Sequence, residues 1–387
     1  MFERLLKPTK SQHYFLFGAR GTGKSTLLKM LEKPEESLFL DLLSSQLESR
    51  FLRNPDSLRE IVHALPHQIK TIVIDEIQKV PRLLDVVHAL IEEKQKRFVL
   101  TGSSARQLKY GGANLLAGRA FVYHLFPLSL SELGDRFDLL TALSYGMLPK
   151  IFELSTDEEK TEFLMAYAHT YLKEEIFSEH LVKKLEPFRR FLEVAAQANG
   201  KIINIAKIAS DVGVDDKTVS SYFSLVEDTL LGFVLEPFRS SFRKRLSQKP
   251  KFYFFDTGVT RALAHSLSLK LSARTSAFGE AFEHFIILEC IKRASYFRLD
   301  FRFSYLRTKD DAEIDLIVER PGQPLLCIEI KSAESINERD LHSFIRLTSE
   351  LPNVEPVCFC TEAIAKKIGE VMVMPWQDGL LKYFSKF

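Results

Sequence analysis

Two stretches near the start of the chain combine residue types and spacing suited to phosphate chemistry. Gly18 to Ser25, GARGTGKS, fit G-x-x-x-x-G-K-[ST]; they follow the apolar run HYFLF and open the helical text TLLKML. Small residues let backbone N–H groups turn inward around phosphate oxygens at the positive end of a helix. Gly18, Ala19, Arg20, Gly21, Thr22, Gly23, Lys24, Ser25 and Thr26 are therefore expected to hold a nucleotide, with Lys24 reaching its β and γ phosphates and the Ser25 hydroxyl on Mg²⁺. Further along, IVIDEIQ ends an apolar strand in two carboxylates. Burying such a charge is costly unless something nearby needs it, and Mg²⁺ is such a partner, which makes Asp75 the metal-organising carboxylate. Glu76 follows directly, placed to polarise the attacking water as general base.

These residues need a parallel sheet to hold them. HYFLFG, ESLFLDL, TIVIDEI, RFVLTGS and AFVYHLFPLS alternate with helical stretches, the pattern of strands joined by crossover helices. Val80, Leu83, Leu84, Val87, Leu90 and Ile91 repeat at helical spacing, so the crossover after the Asp75 strand is an amphipathic helix, with Pro81 in its first turn. No N/TKxD sequence of guanine binders occurs within the first 135 residues, which favours ATP over GTP. From about 136 to 245 the text reads as helices. INIAKIASDVGVDDKTVSSYFSLVEDTLLGFVL suggests a helix, a turn at Gly213 and a second helix capped near Asp215 or Asp216, the outline of a winged helix-turn-helix. Strands return with KFYFFDTG, then come a helix through GEAFEHFIILECIKRA and a hairpin, EIDLIVERPGQPLLCIEIKS, turning between Pro321 and Pro324.

A chain of 387 residues exceeds the size at which single cores stop growing, so two or three domains are expected. Hydrophobic residues make up 45%, with 31 Phe, which argues for a folded protein. The N-terminus carries Glu3, Arg4 and Lys7 and no apolar run fit for secretion or a membrane span, so a soluble, cytoplasmic location with no membrane partner is expected. Cys290, Cys327, Cys358 and Cys360 read as reduced core thiols; the last two alternate in the strand VCFC. A net charge of +2 implies no polyanion partner by itself. Local clustering does better: Arg239, Arg243, Lys244, Arg245, Lys249 and Lys251, interleaved by Phe242, form a basic stretch without an acidic residue, whereas the second helix of the helix-turn-helix text mixes Lys217 with Asp216, Glu227 and Asp228.

The strand signal ESLFLDL, between the two phosphate motifs in sequence, resembles the branch of P-loop proteins that includes the AAA-type ATPases. By that resemblance the strand RFVLTGSSARQL supplies a sensor, Ser103 or Thr101, that orients the γ phosphate and water. The whole chain resembles bacterial and archaeal AAA-type ATPases with a C-terminal uncharacterised domain related to the PD-(D/E)xK nucleases, on GARGTGKS, IVIDEIQKVP, LTGSSARQL, LLAGRA with FPLSLSEL, YGMLP, KFYFFDTGV, GEAFEHF, and EIDLIVE with IEIKS. The fold this implies is α/β in three parts: an N-terminal P-loop AAA-like parallel sheet with helices on both faces (1–135), a helical winged-helix-like domain (136–245) and a PD-(D/E)xK nuclease-like α/β domain (246–387). The resemblance implies a homo-oligomer in which Arg119, in LLAGRA, acts as an arginine finger on a neighbouring subunit's nucleotide.

For the C-terminal part it implies a site for a second divalent cation, Mg²⁺ or Mn²⁺, formed by Glu283, Asp315 and Glu329 with Lys331 beside it. Glu329 and Lys331 are two apart and share one face of their strand. With the hairpin turning about Gly322, Asp315 faces Glu329 roughly 5 Å away, a repelling pair unless a cation or proton lies between them. Two readings of function follow: an ATPase that couples nucleotide state to engagement or processing of DNA or RNA, and a nucleotide-dependent switch or scaffold whose nuclease-like half binds a partner without cleaving.

Overall fold

The computed structural model describes residues 2–93, 96–104, 116, 118–171, 185–238 and 249–386, which divide into two compact units. The first comprises Met1–Leu128, Leu148–Lys150 and Ser224–Leu231. Its strands are β1 (His13–Phe17), β2 (Ser37–Asp41), β3 (Thr71–Asp75), β4 (Arg97–Gly102) and β5 (Ala120–His124). All pair in parallel, in the order β2-β3-β4-β1-β5. These runs are apolar almost throughout because a parallel sheet is covered on both faces. Phe15, Phe17, Ile72, Ile74, Phe98 and Leu100 point to one face, against α2 (Ser45–Arg53), α3 (Ser57–His63) and α4 (Leu83–Glu92), which contribute Phe51, Leu58, Val62, Leu83, Val87 and Leu90. Leu16, Val73 and Val99 are buried on the other. α1 (Lys24–Leu31) follows β1. Although β2 lies between the two phosphate motifs in sequence, in the sheet it is the edge strand beyond β3. The strand separating β1 from β3 is β4.

The second unit comprises Ser129–Met147, Ile151–Phe223 and Gly232–Phe387. Its helices are α5 (Leu130–Leu133), α6 (Leu139–Tyr145), α7 (Asp157–Ala166), α8 (Leu185–Gln197), α9 (Ile205–Val212), α10 (Asp216–Asp228, begun here), α11 (Thr257–Leu263), α12 (Ser276–Phe297), α13 (Glu338–Ser349) and α14 (Trp376–Tyr383). Gly213 turns between α9 and α10 at φ 78, and Asp215 caps α10 by accepting from Thr218 N at 2.9 Å. Phe188 and Phe191 of α8 meet Tyr222 and Phe223 of α10 edge-on, and Phe223 meets Phe252.

Eight strands form one sheet: β6 (Gly232–Pro237), β7 (Lys251–Phe254), β8 (Arg302–Arg307), β9 (Glu313–Glu319), β10 (Leu325–Lys331), β11 (Val354–Cys360), β12 (Lys366–Ile368) and β13 (Val371–Pro375), in the order β12-β13-β11-β10-β9-β8-β6-β7. The expected division at 245/246 does not coincide with this unit. β6 lies within the stretch read as helical, pairs antiparallel with β7 and also extends alongside β8. Its run GFVLEP is short, and its partner becomes evident only when Phe252 packs on Gly232, where an added Cβ would sit 2.3 Å from the ring.

Two motifs read only as family text are an interlock in this unit. Buried Asp256 caps α11 by accepting from Val259 N at 3.0 Å and also accepts from Met147 N at 2.7 Å. Gly146 has φ 79, and a Cβ there would lie 2.0 Å from Asp256 Oδ1; a Cβ on Gly258 would lie 2.0 Å from the Tyr145 carbonyl oxygen. YGMLP and FFDTGV thus require glycine at both points of close approach. All four cysteines are buried and unbridged. Among the described residues no helix is long and apolar enough to cross a membrane.

Candidate active site

The first cluster forms at the C-terminal ends of β1, β3 and β4. Gly18 N donates to the Gly102 carbonyl at 3.3 Å, and a Cβ at Gly18 would lie 2.3 Å from the Leu125 oxygen, so the turn out of β1 has room for glycine alone. Gly21 and Gly23 take positive φ, 79° and 94°. α1 starts at Gly23 with no side-chain cap. Its first intrahelical bond, Leu27 N to Gly23 O at 2.9 Å, leaves the N–H groups of Lys24, Ser25 and Thr26 as the open donors of the first turn. Thr22 Oγ1 closes the loop on Ala19 O at 2.8 Å. Lys24 is buried and its ammonium donates to the Gly18 carbonyl at 2.7 Å, a place that phosphate oxygens are suited to take. Ser25 and Thr26 are exposed and Arg20 half-buried. These features, inward glycines, an uncapped helix start and a buried ammonium among carbonyls, fit a nucleotide's phosphates.

Asp75, the last residue of β3, accepts from Ser25 Oγ at 2.5 Å through Oδ2 and from Thr101 Oγ1 through Oδ1. Hydroxyl and carboxylate thus converge where a Mg²⁺ ion with retained waters requires oxygen ligands. Glu76 adopts the left-handed region at φ 59, unusual for a residue with a Cβ, and its N–H donates to Thr101 Oγ1 at 3.1 Å. The side-chain amide of buried Gln78 donates to the Glu76 carboxylate and to Ser103 Oγ, the latter at 3.1 Å. Both sensor alternatives, on β4 and its continuation, hydrogen-bond within this cluster: Thr101 ties Asp75 to the Glu76 backbone, and Ser103 is joined to Glu76 through Gln78. The remaining residues of that motif, 105–108, lie outside the described residues.

Two residues of the cluster carry no signal in the text of the chain: Gln78, although it stands in IVIDEIQ, and Arg4. Arg4 is buried and donates to the carbonyls of Thr22 and Phe126, both at 2.6 Å, bracing the phosphate loop from a position 18 residues before one and 122 before the other. No local spacing signals such a contact. Arg119 precedes Ala120, which pairs with His13 at the start of β1. It therefore sits at the opposite end of the strands from the phosphate loop, roughly 15 Å away at the usual rise per residue. There its Nε donates to Glu92 at 2.5 Å on the surface. Leu115 and Ala117 of LLAGRA lie outside the described residues.

The second cluster is in the second unit. The β9–β10 ladder runs Leu326↔Val318, Cys327↔Ile317, Ile328↔Leu316, so the next step in the same register sets Asp315 against Glu329. Asp315 Oδ2 accepts from Ile330 N at 2.7 Å. Burial, then the charges of Glu329 and Glu283, push the Asp315 carboxyl far above the usual carboxylate range. Glu329 is buried and also raised, first by burial; one oxygen takes Lys331 Nζ at 2.7 Å and Oε2 is left without a hydrogen-bond partner.

Glu283 on α12, Glu313 and Asp315 bring one carboxylate oxygen each within 4.8 Å of one another, a group that includes Glu313 beside two of the residues expected to hold a cation. Glu313 and Asp315 are two apart on β9 and share a face, a signal that alternation alone carries. Lys251 does not belong to an accessible basic stretch: it is 3% exposed, and its ammonium pairs with Glu283 at 3.4 Å and with Glu313. Burial would lower its pKa, yet Glu283, Glu313 and Asp315 together hold it above the ordinary lysine value. Tyr253 OH donates to the same Glu283 oxygen at 2.7 Å. Lys249 is exposed, while Arg239, Phe242, Arg243, Lys244 and Arg245 lie outside the described residues.

Comparison with known families divides the chain into three matched segments. Residues 10–134 match the AAA domain family; residues 136–274 match a domain of unknown function (DUF8612) and residues 278–378 another (DUF4143). Uncharacterised proteins of Mycobacterium bovis and Mycobacterium tuberculosis are each 27% identical over 315 residues, 80% of this chain and 68% of theirs. An uncharacterised protein of Haemophilus influenzae is 23% identical over 351 residues, covering 84% of both chains. The solved structure of the Aeropyrum pernix ORC1 protein in complex with DNA aligns over 67% of this chain and 87% of that one, at 14% identity and a TM-score of 0.27, too low for a shared overall fold. The segment that holds the five parallel strands and the phosphate loop is thus the part of the chain that matches the AAA domain family.

Proposed function

We propose that the chain is a Mg²⁺-dependent ATP hydrolase that couples nucleotide binding and turnover to engagement or processing of nucleic acid by its second unit. The observation that carries the ATPase half is the meeting of Ser25 and Asp75 at 2.5 Å beside an uncapped, glycine-bordered helix start. Bound Mg²⁺ would neutralise charge on the β and γ phosphates as the terminal bond breaks. The loop N–H groups and Lys24 bind and orient the phosphates, while Ser25 and Asp75 hold the metal side. Glu76 takes a proton from the attacking water, and Gln78, Thr101 and Ser103 fix its carboxylate and backbone. Arg119 acts on a neighbouring subunit's nucleotide in an assembled homo-oligomer; its place far from its own phosphate loop supports action in trans.

For the second unit, α9, the Gly213 turn, α10 and the β6–β7 hairpin have the element order of a winged helix, and the basic stretch 239–245 falls in sequence between the two hairpin strands. That supports nucleic-acid contact. Gathered on the sheet's acidic site are the carboxylates of Glu283, Glu313, Asp315 and Glu329 against the ammonium groups of Lys251 and Lys331. The excess of negative charge and the unpartnered Glu329 Oε2 fit a divalent cation, Mg²⁺ or Mn²⁺, held by Glu283, Glu313 and Asp315. Lys331 is positioned to steady a phosphate under attack. One observation favours the second reading, a switch or scaffold without cleavage: Lys251 already neutralises two of the carboxylates. The test is an ATPase assay with and without DNA or RNA, read beside nucleic-acid integrity in Mg²⁺ or Mn²⁺. ATP turnover without any strand scission selects the switch; no turnover at all removes the proposal.

A further inference from the structure

β7 delivers two side chains to one point. Lys251 and Tyr253, alternate residues of that strand, both reach Glu283 Oε1 on α12, and Lys251 goes on to Glu313 on β9, its ammonium passing over the Tyr305 ring with 5.3 Å to the centroid. The ammonium therefore lies between two of the three carboxylates whose oxygens come within 4.8 Å of one another. A divalent ion drawing on Glu283 and Glu313 and the Lys251 ammonium call on the same carboxylates. A lysine and a metal cannot both neutralise them fully, since each favours the carboxylates by charge and repels the other. Nearby, Glu329 is more than nine-tenths buried with Oε2 unpartnered, so the site keeps an acceptor that Lys251 and Lys331 leave unsatisfied.

We propose that Lys251 is a tethered cation that competes with a divalent metal for Glu283 and Glu313, holding the acidic site metal-poor until the lysine is displaced; this rests on the reading of Glu283, Glu313 and Asp315 as metal ligands. The lysine is not free to leave unaided. Its backbone pairs with Leu235 in the hairpin and bridges to Ile202, and Pro250 beside it accepts from Ile203 N at 2.8 Å, just ahead of α9. The segment that leads into the helix-turn-helix and the strand that supplies the competing cation are thus one structural piece. By linkage, whatever shifts that piece changes metal affinity, and metal binding favours the shifted form to the same degree.

The test titrates Mn²⁺ into the full, nucleotide-free chain, with free Mn²⁺ read by electron paramagnetic resonance, for wild type, Lys251→Met and Asp315→Ala. Methionine keeps the aliphatic stem and removes the charge. Expected is binding at least about tenfold tighter in Lys251→Met than in wild type, lost in both backgrounds when Asp315→Ala is added. Tight wild-type binding that Asp315→Ala removes, with no gain in Lys251→Met, leaves the metal site standing and overturns the competition. No Asp315-dependent binding in either chain overturns the metal reading, and the competition with it. Amine acetylation of the wild type, read by mass spectrometry, covers a Lys251→Met chain that fails to fold. Lys251 should be protected without metal and become reactive at saturating Mn²⁺, and unchanged protection with Mn²⁺ bound at the Asp315 site overturns the proposal.

Discussion

The Gln78 side-chain amide donates to the carboxylate of Glu76, two residues before it in a backbone turn that Glu76 makes at φ 59. Because the same nitrogen also donates to Ser103, the Glu76 carboxylate is held from a group on another strand's end. Glu76→Gln is expected to keep ATP binding and to lower kcat by about 10²–10⁴, the usual contribution of a general base. Gln78→Leu should lower kcat by roughly tenfold with little change in KM, since it loosens the base without removing it. Lys24→Ala should abolish binding itself. Steady-state kinetics beside equilibrium ATP binding separate the three; wild-type kcat in Glu76→Gln would remove that residue from its role.

Arg119 pairs with Glu92 while both side chains remain substantially exposed, 41% and 58%. Such a surface pair contributes about 0–1 kcal/mol to stability. Arg119→Ala should therefore leave thermal unfolding almost unchanged while lowering turnover in the assembled state by roughly 10³, with ATP affinity retained. The measurement is turnover against protein concentration. A dilute monomer with full activity rules the trans role out.

What the sequence made legible depended on how far apart the interacting residues lie. The phosphate loop, Asp75 and Glu76 are contiguous motifs on strands whose apolar runs are unambiguous, and the five strands stand where those runs are. The β9–β10 register followed from a short turn about Gly322, which has φ 71. Arg4, β6 and Lys251 were not legible. Lys251 sits among basic neighbours in sequence, so composition grouped it with a stretch suited to a polyanion; the alternation of β7 instead aims it with Tyr253 at Glu283, 32 residues away on a helix. Glu313 is marked by the same alternation that marks Asp315, whereas Glu329 stands out by its place opposite Asp315 and beside Lys331.

Gly146→Ala is expected to destabilise the second unit by about 2 kcal/mol or more, by forcing a Cβ into the left-handed region and onto the Asp256 carboxylate. Asp256 cannot simply retreat, because it caps α11 and accepts from Met147 N. Chemical denaturation followed by a probe in the second unit checks this. A midpoint within error of wild type would show that the Gly146 turn tolerates a side chain. ATP binding by the still-folded fraction should persist, since neither residue belongs to the phosphate site.

The last prediction concerns the acidic site and separates cleavage from scaffold. If the second unit cuts nucleic acid, the reaction needs a metal on Asp315 and a cation at Lys331, because burial and the neighbouring charges of Glu329 and Glu283 disfavour the charged form of Asp315 and a bound cation offsets that cost. Scission in Mn²⁺ is then expected to fall below detection in Asp315→Ala and by about 10² or more in Lys331→Ala, the scale of losing one charge-stabilising donor. Glu329→Gln should fall as well, since it removes the partner that fixes Lys331 at 2.7 Å. ATP turnover measured on the same preparations should stay at the wild-type level, which excludes unfolding as the cause. Scission that survives both Asp315→Ala and Lys331→Ala comes from another site or a contaminant. A wild-type chain that hydrolyses ATP, binds DNA or RNA and never cuts either one leaves these carboxylates with the structural task they visibly perform, holding Lys251 and β7 against α12 and β9.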